Sequence, residues 1–365
     1  MSRRIIISGG GTGGHIYPAI SIANALRLID PNIEILFVGA QGRMEMEKVP
    51  AAGYKIVGLP IAGIQRSLSL KNLSLPFKLI KSLQEAGRVI DEFKPDVVVG
   101  VGGYASGPVL YMANRRGIPT LIQEQNSYAG VTNKILAKKA KRICTAYDGM
   151  ERFFPAKSII KTGNPVRQDL VDLEAKRSEA YAFFNLDPNK KTVLVLGGSL
   201  GARTINRTLV AHLEQLKGAD FQILWQTGKF YIADTKKAVE ESGATNIRVM
   251  DFIYKMDFAF SVADVVISRA GAGTISELCL VAKPCVLVPS PNVSEDHQTK
   301  NAMALVNVNA AEFVADIECN DKLVSMVVGL VKDAPKCSTL SKNIAALGIS
   351  NSAELIATEV LKLVK

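Results

Sequence analysis

The chain has 365 residues, 48% of them hydrophobic and 21% charged. This is typical of a soluble globular protein with two ordinary domains, and because no run of about 18 apolar residues occurs we expect no transmembrane helix. The formal net charge of +10 predicts an anionic partner, but with 6% aromatic residues and no basic recognition helix a phosphorylated substrate or an anionic membrane surface is favoured over nucleic acid.

The N-terminal segment predicts a strand, a glycine loop and a helix. Residues 4–8 form a short apolar run that leads into GGGTGGH at residues 9–15. We place Pro18 in the first turn of the following helix, where proline is tolerated. The apolar run is too short for a signal peptide, so we expect a cytosolic protein.

The first glycine loop also fits the dinucleotide fingerprint G-x-G-x-x-G through Gly9, Gly11 and Gly14. That fingerprint needs an acidic residue at the end of the second strand, which we predict at residues 33–38. Gly39 and Ala40 occupy that position, which disfavours an NAD site. His15 follows the loop directly and is either a structural histidine or a general base.

A lysine-flanked apolar helix is predicted after the third strand, which covers residues 54–59. Residues 61–74 are rich in glycine and serine and indicate a loop, and residues 75–90 then show helical periodicity among lysines. The helix is either an ordinary amphipathic surface helix or a patch that docks on anionic lipid.

Two further strands of the first half end in polar or glycine-rich segments. Residues 97–99 lead into GVGGYASGP, and residues 120–123 lead into Glu124, Gln125, Asn126 and Ser127. Ligands bind at such carboxyl ends in open α/β sheets. After a short strand at residues 158–162, the turn-forming residues 163–167 mark a domain boundary that could serve as a hinge.

The second half repeats this rhythm. Strands are predicted at residues 192–196, 221–225, 247–250 and 265–267, a long helix at residues 203–216 and a last helix at residues 352–364. The stretch VVISRAGAGTISE runs from strand to glycine loop to helix, and a helix N-terminus favours an anion. We place Glu277 in the first turn, where it complements the helix dipole or accepts hydrogen bonds from a ribose.

These patterns predict an α/β protein of two doubly wound, Rossmann-like domains that face each other across a cleft. The first domain covers residues 1–163 and the second residues 164–345, with the C-terminal helix at 346–365 packing back onto the first. The five cysteines are scattered without a C-x-x-C motif, so we expect reduced thiols and no metal site.

Seven motifs in order and spacing carry a resemblance over nearly the whole chain: GGTGGHIYPA, GVGGYASGP, QEQNSYAGVTNK, TGNPVR, GGSLGARTIN, SRAGAGTISE and DHQTKNA. The chain resembles the bacterial peptidoglycan N-acetylglucosaminyltransferases of the MurG family. The resemblance implies a glycosyltransferase-B fold and inverting transfer of N-acetylglucosamine from UDP-N-acetylglucosamine to lipid I, undecaprenyl-pyrophosphoryl-N-acetylmuramoyl-pentapeptide. The products would be lipid II and UDP, which implies roles in cell wall biogenesis, cell shape and cell division.

The resemblance also implies a set of donor-binding residues. Ile253 would present its backbone to the uracil, Glu277 would hold the ribose, and Ser199 and the helix after Ala272 would neutralise the diphosphate. The full set is Thr12, Gly13, Gly14, Asn126, Arg167, Ser199, Ile253, Ala272, Gly273, Thr274, Ile275, Ser276, Glu277 and Gln298.

For catalysis, the resemblance and the chemistry favour His15 as the base, with Glu124 as the weaker candidate. Gly103 and Tyr104 would line the acceptor side. No D-x-D motif occurs, so we expect no metal requirement and no cofactor, since helix N-termini can stabilise the leaving diphosphate.

Because the implied acceptor is a lipid, the resemblance strengthens the interpretation of residues 75–83 as a patch that docks on the membrane. It also implies a peripheral protein on the cytoplasmic face of the inner membrane. Two positions depart from the family: the only tryptophan, Trp225, lies in the other domain, and Asn309 replaces a glycine. Asparagine tolerates a left-handed turn, so we expect the fold to be kept.

Other functions stay open at this point. They are a related transferase with a diacylglycerol acceptor, a UDP-sugar epimerase, a dinucleotide-dependent oxidoreductase and a catalytically silent nucleotide-sugar binder.

Overall fold

The computed structural model describes residues 3–61, 75–167, 170, 172–198 and 200–364. The chain divides into two compact units, one of Met1–Val166 with Ile349–Lys365 and one of Arg167–Gly348. None of the helices in the described ranges is both long enough and apolar enough to cross a membrane. The expected loop at residues 61–74 lies almost wholly outside the described residues.

The first unit contains a parallel sheet with helices packed on it. Its strands are β1 (Arg4–Ser8), β2 (Glu34–Ala40), β3 (Lys55–Leu59), β4 (Val97–Gly100), β5 (Thr120–Glu124), β6 (Arg142–Thr145) and β7 (Ile159–Lys161), and its helices are α1 (Gly13–Ile29), α2 (Glu45–Ala51), α3 (Leu75–Phe93), α4 (Ser106–Arg115), α5 (Val131–Leu136) and α15 (Ser352–Leu361). The strand order is β3-β2-β1-β4-β5-β6-β7. The order reverses between β1 and β4, where open α/β sheets bind ligands.

The central strands are apolar because both faces of the sheet are covered. Ile5, Ile6 and Ile7 are fully buried, and Ile5 is in register with Val97 of β4. Ile5 and Ile7 pack with α1 and α15, whereas Ile6 belongs to the core cluster on the opposite face. Strands that are buried on both faces read as continuous runs of branched residues.

The second unit has the same architecture. Its strands are β8 (Thr192–Leu196), β9 (Gln222–Gln226), β10 (Ile247–Met250), β11 (Val265–Ser268), β12 (Cys285–Leu287) and β13 (Glu312–Phe313), and its helices are α6 (Leu173–Phe184), α7 (Arg203–Ala211), α8 (Leu213–Lys217), α9 (Ile232–Ser242), α10 (Met256–Val262), α11 (Ala272–Val281), α12 (His297–Val306), α13 (Cys319–Lys332) and α14 (Ala334–Ala345). The order β10-β9-β8-β11-β12-β13 again reverses, between β8 and β11. The predicted class of two doubly wound α/β domains is confirmed.

The C-terminal helix α15 completes the core of the first unit. Ile356, Ala357 and Val360 are fully buried in the cluster that contains β1 and α1. Gly163, at φ +75°, lies against this segment, and a Cβ atom there would lie 2.5 Å from the Ser352 Oγ. Helix α15 therefore forms part of the hydrophobic core of the first unit, although it follows the second unit in sequence.

Several local predictions are wrong in detail. Helix α1 begins at Gly13, so Pro18 lies in its second turn. The predicted helix over residues 203–216 is two helices that break at His212. β6 and β13 were not predicted. Asn309 adopts the expected left-handed conformation, with φ +52°.

Candidate functional site

The loops after β1 and β4 pack closely at the carboxyl edge of the first sheet. The Gly10 N–H donates to the Gly102 carbonyl over 3.3 Å. A Cβ atom on Gly103, at φ +85°, would lie 2.3 Å from the Gly10 carbonyl oxygen. Only glycine allows this approach and this backbone conformation. Gly103 therefore fixes the glycine loop as well as leading into Tyr104, whose side chain is exposed.

His15 lies half-buried in the first turn of α1, which Thr12 precedes as the N-cap residue. The His15 Nδ1 lies 3.1 Å from the Gly10 carbonyl oxygen and 3.3 Å from the Thr12 Oγ1. A carbonyl only accepts, so this contact assigns the proton to Nδ1 and the basic lone pair to Nε2. Gly13 and Gly14 form the same first helical turn.

Glu124 is 2% exposed at the end of β5. Its Oε1 accepts from the backbone N–H and the side-chain amide of Asn126, at 3.1 and 3.3 Å. Its Oε2 accepts from the Gly130 N–H at 3.0 Å and the Asn133 side chain at 2.9 Å. Both oxygens thus hold the loop between β5 and α5, which favours orientation of Asn126 over proton transfer.

A buried amide network that the sequence did not indicate lies beneath this edge. The Gln125 Nε2 donates to the Val101 carbonyl at 2.7 Å, and the Gln123 Nε2 donates to the Asn164 Oδ1 at 2.9 Å. Asn164 in turn donates to the Gln125 carbonyl at 3.0 Å. The available sequence signal was Gln123, an amide that directly follows two apolar residues in β5. The network joins the ends of β4 and β5.

In the second unit, the glycine loop after β8 packs against the segment after β9. The Gly197 N–H donates to the Gln226 carbonyl at 3.0 Å. A Cβ atom on Gly201, at φ +89°, would lie 2.4 Å from the Thr227 carbonyl oxygen. Ser199, the predicted diphosphate contact of this loop, lies outside the described residues.

Helix α11 presents its N-terminus at the carboxyl end of β11. Gly271, the N-cap residue, is extended at φ −68° and ψ 144° and offers no side-chain cap. The first turn, Ala272–Thr274, can therefore offer backbone N–H groups to an anion. Ile275 is 2% exposed, so its side chain belongs to the core, and the Ser276 Oγ donates to the Ala272 carbonyl at 2.9 Å.

Glu277 lies in the second turn of α11, so its predicted place in the first turn is wrong. The helix dipole acts mainly within the first turn and does not account for this carboxylate. Instead the Arg167 Nε donates to the Glu277 Oε1 at 2.7 Å, and the carboxylate side chain is 16% exposed. The structure thus brings two predicted donor residues into one ion pair.

Ile253 and Gln298 also occupy the carboxyl edge of the second sheet. Ile253 is 1% exposed, and its N–H donates to the Gln226 Oε1 at 3.1 Å. The side chain of Ile253 therefore belongs to the core, and its N–H is already engaged by Gln226. Gln298, on α12, accepts from the Ser290 N–H at 2.8 Å. Within the described ranges, no group of three or more His, Cys, Asp or Glu side chains could hold a metal ion.

Helix α3 carries an exposed apolar face in the first unit. Phe77 is 76% exposed and Ile80 is 55% exposed, and Lys78 and Lys81 are exposed beside them. Helix α4 packs on α3 and α5 packs on α4. Ile135 of α5 is 66% exposed. The exposed apolar side chains of α3, beside exposed lysines, make this helix a candidate interaction surface.

Residues 5–145 match the sequence profile of the glycosyltransferase family 28 N-terminal domain, and residues 192–358 match that of the C-terminal domain. The UDP-N-acetylglucosamine–N-acetylmuramyl-(pentapeptide) pyrophosphoryl-undecaprenol N-acetylglucosamine transferase of Parabacteroides distasonis is 58% identical over 361 residues, covering 99% of this chain and 98% of the relative. The transferase of the same name from Phocaeicola vulgatus is 60% identical, with coverage of 99% and 96%. The crystal structure of MurG from Acinetobacter baumannii matches with a TM-score of 0.81 and 28% identity over 99% of each chain.

Proposed function

Because the chain belongs to glycosyltransferase family 28, we propose that it transfers N-acetylglucosamine from UDP-N-acetylglucosamine to lipid I and forms lipid II for peptidoglycan. The observation that carries this function is the 58% to 60% identity across 99% of the chain to transferases with that name. The resemblance inferred from the seven motifs is confirmed. The protein is a UDP-N-acetylglucosamine-dependent hexosyltransferase.

The donor binds the second unit through the carboxyl edge of its sheet. The first turn of α11 faces the diphosphate with its backbone N–H groups, and Arg167 and Ser199 add to this contact. The Ile253 backbone meets the uracil, and Gln298 lies on the neighbouring helix. Negative charge grows on the leaving UDP in the transition state, and fixed dipoles stabilise it without rearranging. Thr12, Gly13, Gly14 and Asn126 complete the set of donor contacts.

Glu277 holds the ribose through its carboxylate. Arg167 already fixes one oxygen of that carboxylate at 2.7 Å, so the group is oriented before the nucleotide arrives. A buried, ionised acceptor makes a stronger hydrogen bond to a hydroxyl than a neutral one does. This ion pair supports a binding role for both residues.

His15 is the base of the transfer. Its Nε2 takes the proton from the acceptor hydroxyl while that oxygen forms a bond to the sugar carbon, and the bond from the sugar carbon to UDP breaks with inversion. The Gly10 carbonyl, 3.1 Å from Nδ1, keeps the proton on the other nitrogen. Glu124 acts as a positioning residue for Asn126, and Gly103 and Tyr104 lie on the acceptor side.

The protein works as a peripheral protein on the cytoplasmic face of the membrane. Lipid I is held in the bilayer, and α3 offers exposed Phe77 and Ile80 between exposed lysines. Apolar side chains with cations suit an anionic lipid surface, and the net charge of +10 adds long-range attraction.

The assay that tests this function is UDP release from UDP-N-acetylglucosamine, with and without a lipid I analogue, in excess EDTA. We expect release that requires the analogue and persists in EDTA, because helix dipoles and Arg167 stabilise the diphosphate. A diacylglycerol acceptor serves as the matched control. Release with diacylglycerol alone, or an epimerised UDP-sugar, would support the rival enzymes, and loss of release in EDTA would contradict metal independence.

A further inference from the structure

Glu45 is a buried carboxylate beneath the first glycine loop, and nothing in the proposed reaction uses it. It opens α2 and is 1% exposed. Its Oε2 accepts from the Gly11 N–H at 2.9 Å, and its Oε1 accepts from the Ala40 N–H at 3.0 Å. Among the described residues, no lysine, arginine or histidine forms an ion pair with it within 4.0 Å.

The surrounding backbone is built to admit this side chain. A Cβ atom on Gly10 would lie 2.2 Å from the Glu45 Oε1, and one on Gly39 would lie 2.6 Å from the Glu45 Cγ. Burial of a carboxylate is costly unless hydrogen bonds satisfy it. Two glycines and two backbone amides thus combine to place one carboxylate, which indicates a specific use for it.

Glu45 and His15 both contact the same residue, Gly10. The carboxylate packs against the Cα of Gly10 and binds the next amide, while the carbonyl of Gly10 contacts the His15 Nδ1 at 3.1 Å. The orientation of that carbonyl decides which nitrogen of the imidazole carries the proton. Any rotation of the Gly10–Gly11 peptide would remove the contact.

We propose that Glu45 is a positioning residue for the transfer, because it pins the Gly10–Gly11 peptide so that the Gly10 carbonyl keeps His15 in the tautomer with a basic Nε2. This inference rests on the proposed role of His15 as the base. The position of Glu45 also shows which acidic residue contacts the glycine loop from the region that follows β2. The acid that a dinucleotide site would place at residues 39–40 is absent, and Glu45 from the next helix binds inward to the loop.

The test uses the full-length protein, Glu45→Gln, and Glu47→Gln as a matched control. Glutamine accepts from only one of the two amides and turns an N–H group toward the other. We expect Glu45→Gln to lower kcat by about tenfold to a hundredfold, as small displacements of a reacting group do, with KM for UDP-N-acetylglucosamine nearly unchanged. Glu47 lies on the same helix with its side chain 75% exposed, so its replacement removes the same charge without touching the loop.

The direct readout is the tautomer of His15. The chain has three histidines, so histidine-selective nitrogen labelling with His15→Ala for assignment resolves the ring of interest. We expect the proton on Nδ1 in the unmodified protein and in Glu47→Gln, and a mixture of tautomers in Glu45→Gln. This measurement on the unmodified protein needs no variant beyond the assignment, so poor folding of Glu45→Gln does not prevent the test.

The outcomes separate the inference from the function on which it rests. Active His15→Ala protein would overturn the role of His15 as base. Inactive His15→Ala together with a wild-type kcat and tautomer in Glu45→Gln would overturn the role of Glu45 alone. An Nε2-protonated His15 in the unmodified protein would also overturn it. Loss of thermal stability without a change in kcat would identify Glu45 as structural.

Discussion

In the Arg167–Glu277 pair, the arginine orients the carboxylate through a hydrogen-bonded ion pair. Arg167 donates to one oxygen of Glu277 at 2.7 Å, and in the proposed function the remaining acceptor capacity of the carboxylate binds the ribose. A hydrogen bond to a charged group contributes about 1.5–3 kcal/mol. We therefore predict that Glu277→Gln weakens UDP binding by about tenfold to a hundredfold, measured by calorimetry.

The matched control for this prediction is a change in the ligand rather than in the protein. Removal of the 2′-hydroxyl from UDP should weaken binding to the unmodified protein and have little effect on Glu277→Gln, since the two changes remove the same interaction. Additive losses from the two changes would show that Glu277 does not contact that hydroxyl.

The buried thiols predict a loss of stability at alkaline pH. Burial raises the pKa of Cys144 and of Cys279 to about 12, because a thiolate loses its hydration in the core. The unfolded chain releases these protons near pH 9, whereas the folded chain keeps them. Each thiol should therefore lower the free energy of unfolding by up to about 1.4 kcal/mol per pH unit between about pH 9 and pH 12, and not below.

Chemical denaturation of Cys144→Ala alongside the unmodified protein isolates this effect. We expect a shallower alkaline slope for the variant and a constant difference between the two proteins from about pH 6 to pH 8. Equal slopes in the alkaline range would contradict the assignment to the thiol.

At the scale of elements, the sequence predicted strands well where both faces are buried. β1 contains three isoleucines and β4 three valines, glycine follows each run within two residues, and such branched runs are typical of strands buried on both faces. β6 begins with a charged residue and β13 has two residues, so neither carries a pattern of its own. Both exist because a neighbouring strand pairs with them.

The candidate site was predictable where its residues lie on glycine motifs and not where they act from beneath. His15, Glu124 and the loop before α11 lie in sequence motifs that can be recognised without the structure. Glu45 accepts from the backbone N–H of Gly11, which carries no residue-type signal, and Gln123 donates to the side chain of Asn164, 41 residues away in sequence. Contacts of this kind follow only from the tertiary structure.

We predict that the protein binds membranes through the exposed apolar face of α3. Phe77→Glu with Ile80→Glu should weaken binding to vesicles that contain anionic lipid, because it removes apolar contact and adds negative charge. Vesicle sedimentation measures the effect. We expect transfer to a water-soluble lipid I analogue to be retained, while transfer to lipid I in vesicles falls.

Phe230→Glu is the control for α3, since Phe230 is 67% exposed on the second unit. It adds one negative charge at an exposed aromatic position, so it is compared with Phe77→Glu alone. Equal loss of vesicle binding in both variants would assign the effect to net charge and contradict a role for α3.

For the whole molecule, the stability of the first unit depends on the last helix of the chain. Ile356 is fully buried against β1 and α1, so Ile356→Ala should cost about 2–5 kcal/mol. Hydrogen exchange should report lost protection in β1 and α1, with β8 and β11 unchanged. Thr358→Ala, on the exposed side of α15, should leave all four protected, and a uniform loss after Ile356→Ala would contradict this dependence.

The position of α15 in the sequence also affects the order in which the two units fold during synthesis on the ribosome. The first unit combines Met1–Val166 with Ile349–Lys365, which is made only after the whole of the continuous second unit, Arg167–Gly348. Domains fold as they emerge, so the segment made first is the last to be completed. Until α15 has been made, the nascent chain displays the apolar groove that α15 will fill, and a ribosome stalled before that point would leave the groove open to chaperones.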